Sequence, residues 1–296
     1  MPFLLSPGQP LAGSSITPYL GYQLSMLEWT QPIMQFKTHI SGPINWLGLW
    51  TLSSREIQRF MKVYNQTVIA PVVTALIFFA VFTLALGRRE EETSGLPFAL
   101  FLAPGLIMMS IIQNAFANTS SSLMIAKIQG NIVDTLMPPL SPAELTIGYM
   151  LGGVVRGILV GVVTTAVLIP FVGFHIHNVF FLLFYAFAAS MVLSLLGTIF
   201  GIWAEKFDHI AAVTNFVVMP LAFLSGTFYS IEQLPYAWQW LASGNPFFYA
   251  IDGFRYGMTG HSDGSLRIGV ATLILVNLVL LFLCHWMFKT GYKLKP

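Results

Sequence analysis

Three observations predict an all-α integral membrane protein with six spans. Only 9% of the 296 residues are charged and 55% are hydrophobic, against about 25% charged in soluble domains. The mean hydropathy is +0.72, so this inventory does not supply a water-facing surface. The apolar residues gather in six stretches near the roughly 20 residues that cross a bilayer, separated by charge, Gly and Pro. A net charge of +2 with scattered Lys and Arg argues against nucleic-acid binding. Cys284 is the single cysteine, which excludes an intrachain disulfide.

Residues 1–43 hold three prolines in their first ten positions and no basic n-region. They are expected to form a disordered or loosely attached arm rather than a signal peptide, with residues 44–296 forming one transmembrane domain. The stretch from Ile44 to Tyr64 is expected to be an amphipathic helix on the inner membrane surface. Ser53 and Glu56 have capping-box spacing, which starts or restarts a helix there. Ile57, Phe60, Met61 and Tyr64 then fall on one face, and Arg55, Arg59 and Lys62 on the other, where anionic headgroups can meet them. Trp46 and Trp50 suit an interfacial belt.

The six spans are placed at about 67–86, 97–117, 147–172, 179–203, 210–228 and 268–288. The second closes on the polar run Asn118-Thr119-Ser120-Ser121-Ser122. After it, 120–145 is expected to be a long, partly apolar loop, with Lys127, Gln129, Asn131 and Asp134 among Leu, Ile and Met. The pairs Pro138-Pro139 and Ser141-Pro142 end any helix there. Such a segment suits either a protein partner's grip or a plain interfacial connector. In the third span Gly148, Gly152, Gly153, Gly157 and Gly161 permit close helix contact, within one subunit or between two. The segment from Tyr229 to Gly264 is too aromatic for a free loop and too broken, at Pro235 and Pro246, for a span. Short helices dipping part-way into the outer leaflet satisfy both constraints.

Cations orient the stack. Lys37, Arg55, Arg59, Lys62, Lys127, Lys206, Lys289, Lys293 and Lys295 fall in one alternating set of segments. Only Arg88, Arg89, Arg255 and Arg267 fall in the other. Both termini are therefore expected in the cytoplasm, with Arg88, Arg89 and Glu90 to Glu92 in an outer hairpin. Arg156 is the one charge inside a span; it either snorkels to the membrane surface or pairs with Glu205 or Asp208. His175 and His177 alone are a weak metal signal, and no metal site is expected. No G-x-x-x-x-G-K-[ST] is present to cradle phosphates, nor any Ser-His-Asp set or carboxylate pair assignable to catalysis. The chain therefore reads as a transport subunit rather than an enzyme. An ATP-independent secondary transporter or channel is the alternative, although uncharged spans one, two, five and six offer no ion-coupling site.

From Trp46 onward the chain resembles the permease subunit of ABC-2-type transporters. Residues carrying the resemblance are Pro220-Leu221, Leu224-Ser225-Gly226, Phe228, Leu234-Pro235, Asn245-Pro246, Tyr249 and Arg255. A second group is Asp134, Pro139-Leu140-Ser141-Pro142, Glu144-Leu145, Gly148-Tyr149 and Gly152. The resemblance implies an inner-membrane exporter for hydrophobic, lipid-like or glycan cargo. It implies a homodimer with two copies of a separate cytoplasmic ATPase subunit, which would carry ATP and Mg, while this chain binds no cofactor. The segment with Arg55, Glu56, Arg59 and Lys62 would be a connecting helix. Lys127, Gln129, Asn131, Asp134 and Thr135 would contact the ATPase from a coupling helix. Pro235, Asn245, Pro246, Tyr249 and Arg255 would mark outer re-entrant helices.

Overall fold

A computed structural model describes residues 44–86, 96–173 and 176–294. The expected arm at 1–43, the 88–92 hairpin, His175 and Lys295 lie outside the described residues. The chain begins on α1 (Trp46–Met61) and turns into α2 (65–86), where a π-helical turn, Asn65–Ile69, leads into α-helical Ala70–Leu86. Next come α3 (Phe98–Ile128), the short α4 (Ile132–Leu136), α5 (Pro142–Val172) and α6 (Val179–Trp203). Helix α7 (Phe207–Leu224) contains a second π turn, Thr214–Val218. A 3-10 turn (Ile231–Gln233), α8 (Tyr236–Ser243), α9 (Pro246–Thr259) and α10 (Leu266–Thr290) complete the fold. Helices α2, α3, α5, α6, α7 and α10 are long and apolar enough to cross a membrane.

Helix α3 forms the core, with Phe101, Leu102, Ile107, Met108, Ile112 and Ala115 fully buried. Helices α5 and α6 reach it through glycine. A Cβ on Gly157 would stand 2.8 Å from the Ile111 carbonyl oxygen, and one on Gly197 would stand 2.5 Å from that of Phe116 and collide with Thr119 Oγ1. Polar bonds fasten the same seam: Thr119 Oγ1 donates to the Ser194 carbonyl (2.8 Å), and Ser194 Oγ donates to the Met150 carbonyl (2.9 Å). One serine thus joins three helices. The third-span glycines make contact within one subunit, with Gly148 admitting Leu52 and Gly152 admitting Glu56 of α1.

Several expected boundaries move. Helix α3 does not close at Ala117 but runs through the polar run to Ile128. Its hydroxyls are satisfied within the bundle: Ser120 donates to the Phe116 carbonyl (2.8 Å), Ser121 to that of Ala117 (2.6 Å), and Ser122 to Glu56 (2.8 Å). The long loop expected at 120–145 therefore shrinks to two short turns around α4. At 31 residues each, α3 and α5 extend about 46 Å and overrun a hydrocarbon core of about 30 Å.

No capping box forms at Ser53 and Glu56. Helix α1 starts earlier, capped by Asn45 Oδ1 accepting from Gly48 N (2.9 Å), and both residues sit buried in its interior. The box forms instead at Ser141 and Glu144, heading α5. The face of α1 also differs from the expected apolar stripe. Its buried side is Leu49, Leu52, Ser53, Glu56 and Phe60, while Met61, Tyr64, Trp46 and Trp50 are exposed. Burial follows partners, and α5 and α3 offer this helix polar groups as well as apolar ones.

Both π turns precede a proline by the same offset. Ala70 N bonds to the Asn65 carbonyl and Met219 N to that of Thr214, five residues back in each case. Pro71 and Pro220 follow. A proline lacks the amide hydrogen and its ring clashes with the carbonyl four residues back, so widening the preceding turn relieves the clash. In α2 the Thr67 hydroxyl donates to the Phe60 and Val63 carbonyls (2.8 and 3.1 Å), joining the turn to α1.

The seam gives a first prediction. Gly197→Ala places a methyl against a backbone carbonyl that cannot rotate away, at a cost of about 1–3 kcal/mol. The unfolding midpoint of the detergent-solubilised chain should fall measurably. An unchanged midpoint would mean that α3 and α6 separate without penalty.

Candidate functional site

A cleft of about 380 Å³ opens between α2, α3 and α7, lined by Gln66, Thr74, Phe78, Gln113, Asn114 and Met219 among others. Its walls are apolar, with a strip of polar side chains along α3. Gln113 Nε2 approaches Met219 Sδ (3.4 Å), Asn114 Nδ2 donates to the Ser110 carbonyl (3.0 Å), and Asn114 Oδ1 accepts from Arg156 (3.0 Å). Neither expectation for Arg156 holds. The residue is buried within α5 with Nε unpartnered, while Glu205 is bound to Lys293 (2.7 Å) at the end of the bundle. Glycine and serine let α3 lie so close that the guanidinium meets an amide before it reaches any carboxylate. The cleft thus combines apolar surface, amides and a cation held behind one of them, which suits an amphipathic or uncharged polar ligand.

At the end of the bundle that carries α1 and α4, the predicted connecting residues come together. Glu56 is 1% exposed and receives Ser122 Oγ (2.8 Å), Arg59 Nε (3.4 Å) and Arg55 (3.5 Å). Arg59 also donates to the Asn118 carbonyl (2.7 Å) and side chain (3.0 Å), and Arg55 donates to Thr135 (3.0 Å). The Lys62 side chain is exposed and makes no hydrogen bond or ion pair among the described residues. Both arginines lie on α1 with Glu56, and the bonds that hold α1 to α3 are those from Ser122 to Glu56 and from Arg59 to Asn118. Glu144 adds a second fastening by accepting from Asn45 N and Ser141 N (2.5 and 2.6 Å), so one carboxylate caps α5 and holds the entrance to α1.

The five residues assigned to a coupling helix divide. Lys127 donates to the Ile202 and Ala204 carbonyls (2.7 and 2.5 Å), closing the C-terminal end of α6, and Thr135 is buried under Arg55. Gln129, Asn131 and Asp134 are exposed beside Val133 and Met137. At the same end Lys293 holds the Glu205 carboxyl below its usual range, and Glu205 in turn raises Lys293.

At the opposite end the signature residues build a buttress. Pro235 and Asn245 stand at the N-caps of α8 and α9, and Pro246 opens α9. Asn245 also donates to the Leu221 carbonyl (2.7 Å), tying α9 to α7. Tyr249 is half-buried against Phe248, with ring centroids 5.0 Å apart. Arg255 is 1% exposed; it donates to the Phe101 carbonyl (3.3 Å) and the Gly226 carbonyl (2.6 Å) and lies 3.8 Å over the Phe101 ring. Burial pulls its guanidinium below the usual value, and burial pushes the Asp252 carboxyl one turn away above its own.

Sequence reasoning missed Asp252, which accepts from Asp263 N and Gly264 N (2.7 and 3.0 Å), and Asp263, which receives Ser230 and His261. It also missed Asn114, Asn118 and Ser122 as partners of charge. The available signal was the run of amides and hydroxyls at helical spacing along α3. His177 packs its ring edge-on to Tyr256, and no cluster of three or more metal-ligating side chains occurs among the described residues.

Residues 48–259 match the family model described as ABC-2 type transporter. The chain is 38% identical over 250 residues to the inner membrane transport permease YadH of Escherichia coli K12, covering 84% of this chain and 98% of that protein. It is 24% identical over 241 residues to nodulation protein J of Rhizobium leguminosarum bv. viciae, covering 80% and 91%. A similar protein of the same name from Sinorhizobium fredii is 20% identical over 245 residues, with 82% and 92% covered. Six apolar helices, with the signature residues at the caps of α8 and α9 and in buried contacts, fit these likenesses, and the chain belongs to the ABC-2 type transporter family as a multi-pass membrane permease subunit.

Proposed function

We propose that this permease is one half of an ABC exporter, in which two copies form the pathway and two copies of a separate cytoplasmic ATPase subunit, carrying Mg and ATP, drive it. One observation carries the reading: hydrogen bonds lead from α4 through α1 to α3, the helix that lines the cleft one turn further on. Thr135 of α4 accepts from Arg55, Glu56 and Arg59 grip Ser122 and Asn118, and the same α3 lines the cleft with Asn114. Helix α1 is then the connecting helix, α4 with its flanks the coupling helix, and α8 and α9 the outer re-entrant helices. Gln129, Asn131 and Asp134 meet the ATPase, while Lys127 and Thr135 secure the coupling segment from inside.

Arg55, Arg59, Lys62, Lys127, Lys206, Lys289 and Lys293 cluster at the α1 end, which supports placing that end and both termini in the cytoplasm. The exposed apolar sides of α2 and α7, such as Ile77 and Phe216, are where a second copy closes the cleft. The cargo best suited to that cleft is hydrophobic or amphipathic, lipid-like or glycan-bearing, and it moves outward. An ion-coupled secondary transporter is the weaker reading, since the charge beside the cleft, Arg156, faces an amide and no carboxylate.

Two outcomes follow for the permease–ATPase complex reconstituted in vesicles. Asn131→Ala and Asp134→Ala should leave insertion and basal ATP turnover near wild type and reduce transport per ATP hydrolysed severalfold; unchanged coupling would remove α4 from the docking site. Glu56→Ala removes every bond of the buried carboxylate and should destabilise the permease more than Ser122→Ala, which removes one hydrogen bond to a charged group, worth about 1.5–3 kcal/mol. Both are read from thermal midpoints, and equal or absent losses would mean that the Glu56 cluster does not fasten α1.

A further inference from the structure

Beside the Glu56 cluster lies a second concavity of about 460 Å³, between α1 and the turn from α3 to α4. Arg55, Arg59, Lys62, Gln58, Gln129 and Asn131 ring it. Its one carboxylate, Glu56, is buried and already receives Ser122, Arg55 and Arg59. The concavity therefore keeps a surplus of positive charge, and Lys62 contributes an ammonium without a partner among the described residues. One rim is apolar: Val63 lines the pocket and is half-exposed, and beyond it the exposed Tyr64 and Ile69 continue along the start of α2. A cationic cup opening onto an apolar edge complements a molecule with an anionic head and hydrocarbon tails.

We propose that this pocket holds the phosphate of an anionic phospholipid such as phosphatidylglycerol, taken from the leaflet at the α1 end. The inference rests on the proposed position of α1 at the inner membrane surface. Lys62 and the two arginines meet the phosphate, Gln58 offers an amide donor to its glycerol and phosphate oxygens, and the acyl chains lie along Val63, Tyr64 and Ile69. A soluble protein partner fits less well, because the apolar rim leads along the membrane-crossing helix.

The test is titration of the purified full-length chain in mixed micelles with phosphatidylglycerol or phosphatidylcholine, reading the thermal midpoint and lipid retained by native mass spectrometry. The expected result is a saturable stabilisation by phosphatidylglycerol over phosphatidylcholine. Lys62→Gln should weaken the apparent affinity about fivefold, the effect of one surface cation on an anionic lipid. Lys62→Glu and, independently, Gln58→Glu should abolish the preference, while Lys206→Gln, at the α6–α7 turn, should leave it intact. Equal response to both lipids, or a preference surviving both Glu variants, overturns the proposal. So does equal loss in Lys206→Gln, which indicates a diffuse surface potential. Full stabilisation by glycerol phosphate or inorganic phosphate alone assigns the pocket to a soluble phosphoryl compound, and loss of lipid on ATPase binding assigns it to protein; either overturns the proposal. If lipid preference is absent while the Asn131 and Asp134 variants still uncouple, the lipid site alone fails and the exporter reading stands.

Discussion

Everything in this subunit depends on how closely α3, α5 and α6 approach one another. Lipid tails are as apolar as leucine, so helices in a bilayer gain little by hiding apolar surface from one another, and association relies on packing and interhelical hydrogen bonds. Gly157 and Gly197 remove the side chains that would hold the backbones apart, and Thr119 and Ser194 then bond across the seam. The remaining elements attach to that trio. Helix α1 lies on α5 at Gly148 and Gly152, while α9 lies on α6, where Gly253 faces the Tyr185 ring and Gly257 faces the Leu182 backbone. Asn277 of α10 donates to the Ala188 carbonyl of α6 (3.1 Å).

Charge serves a different purpose at each end. Near α1, the buried Glu56 carboxylate and the partly exposed Arg55 and Arg59 reach α3 and α4 through Ser122, Asn118 and Thr135, so displacing α1 breaks charge-assisted hydrogen bonds. Near α9, Arg255 is spent on two backbone carbonyls and an aromatic face, and its strength is directed at fixing a turn after α7 against α3. One end is thus a joint between helices and the other a brace. The difference follows from the partners, carboxylates and hydroxyls in the first case and bare carbonyls in the second.

Helix count and type were legible because hydropathy over some twenty residues is a strong local signal, and the span at 179–203 coincides with α6. Polar residues misled. Asn118 to Ser122 look like the end of a span, but each hydroxyl can bond back to its own helix, and only the presence of α1 and α6 explains why the amides stay inside. Ser53 and Glu56 show the complementary failure: i, i+3 spacing serves a cap and a buried helical face equally well, and the choice is made by α3 and α5. Asn245, Pro246 and Arg255 were marked out by resemblance, while Asp252 and Asp263 gave no sign, since the first binds backbone amides of a later turn and the second binds Ser230, Ile231 and His261 across turns that only the fold brings together.

The two widened turns have a consequence for the cleft. One additional residue in a turn advances the angular phase of a helix by about 100°, and both helices that face α3 across the cleft carry such an insertion at its level, in Asn65–Ile69 and Thr214–Val218. Which side chains of α2 and α7 look into the cleft is therefore written in backbone phase rather than in side-chain pattern. If either turn tightens to ordinary α geometry, the helix beyond it rotates by more than a quarter of a revolution and offers a different set of residues. The same wall thus encodes two chemical linings, and Pro71 and Pro220 select the one displayed here.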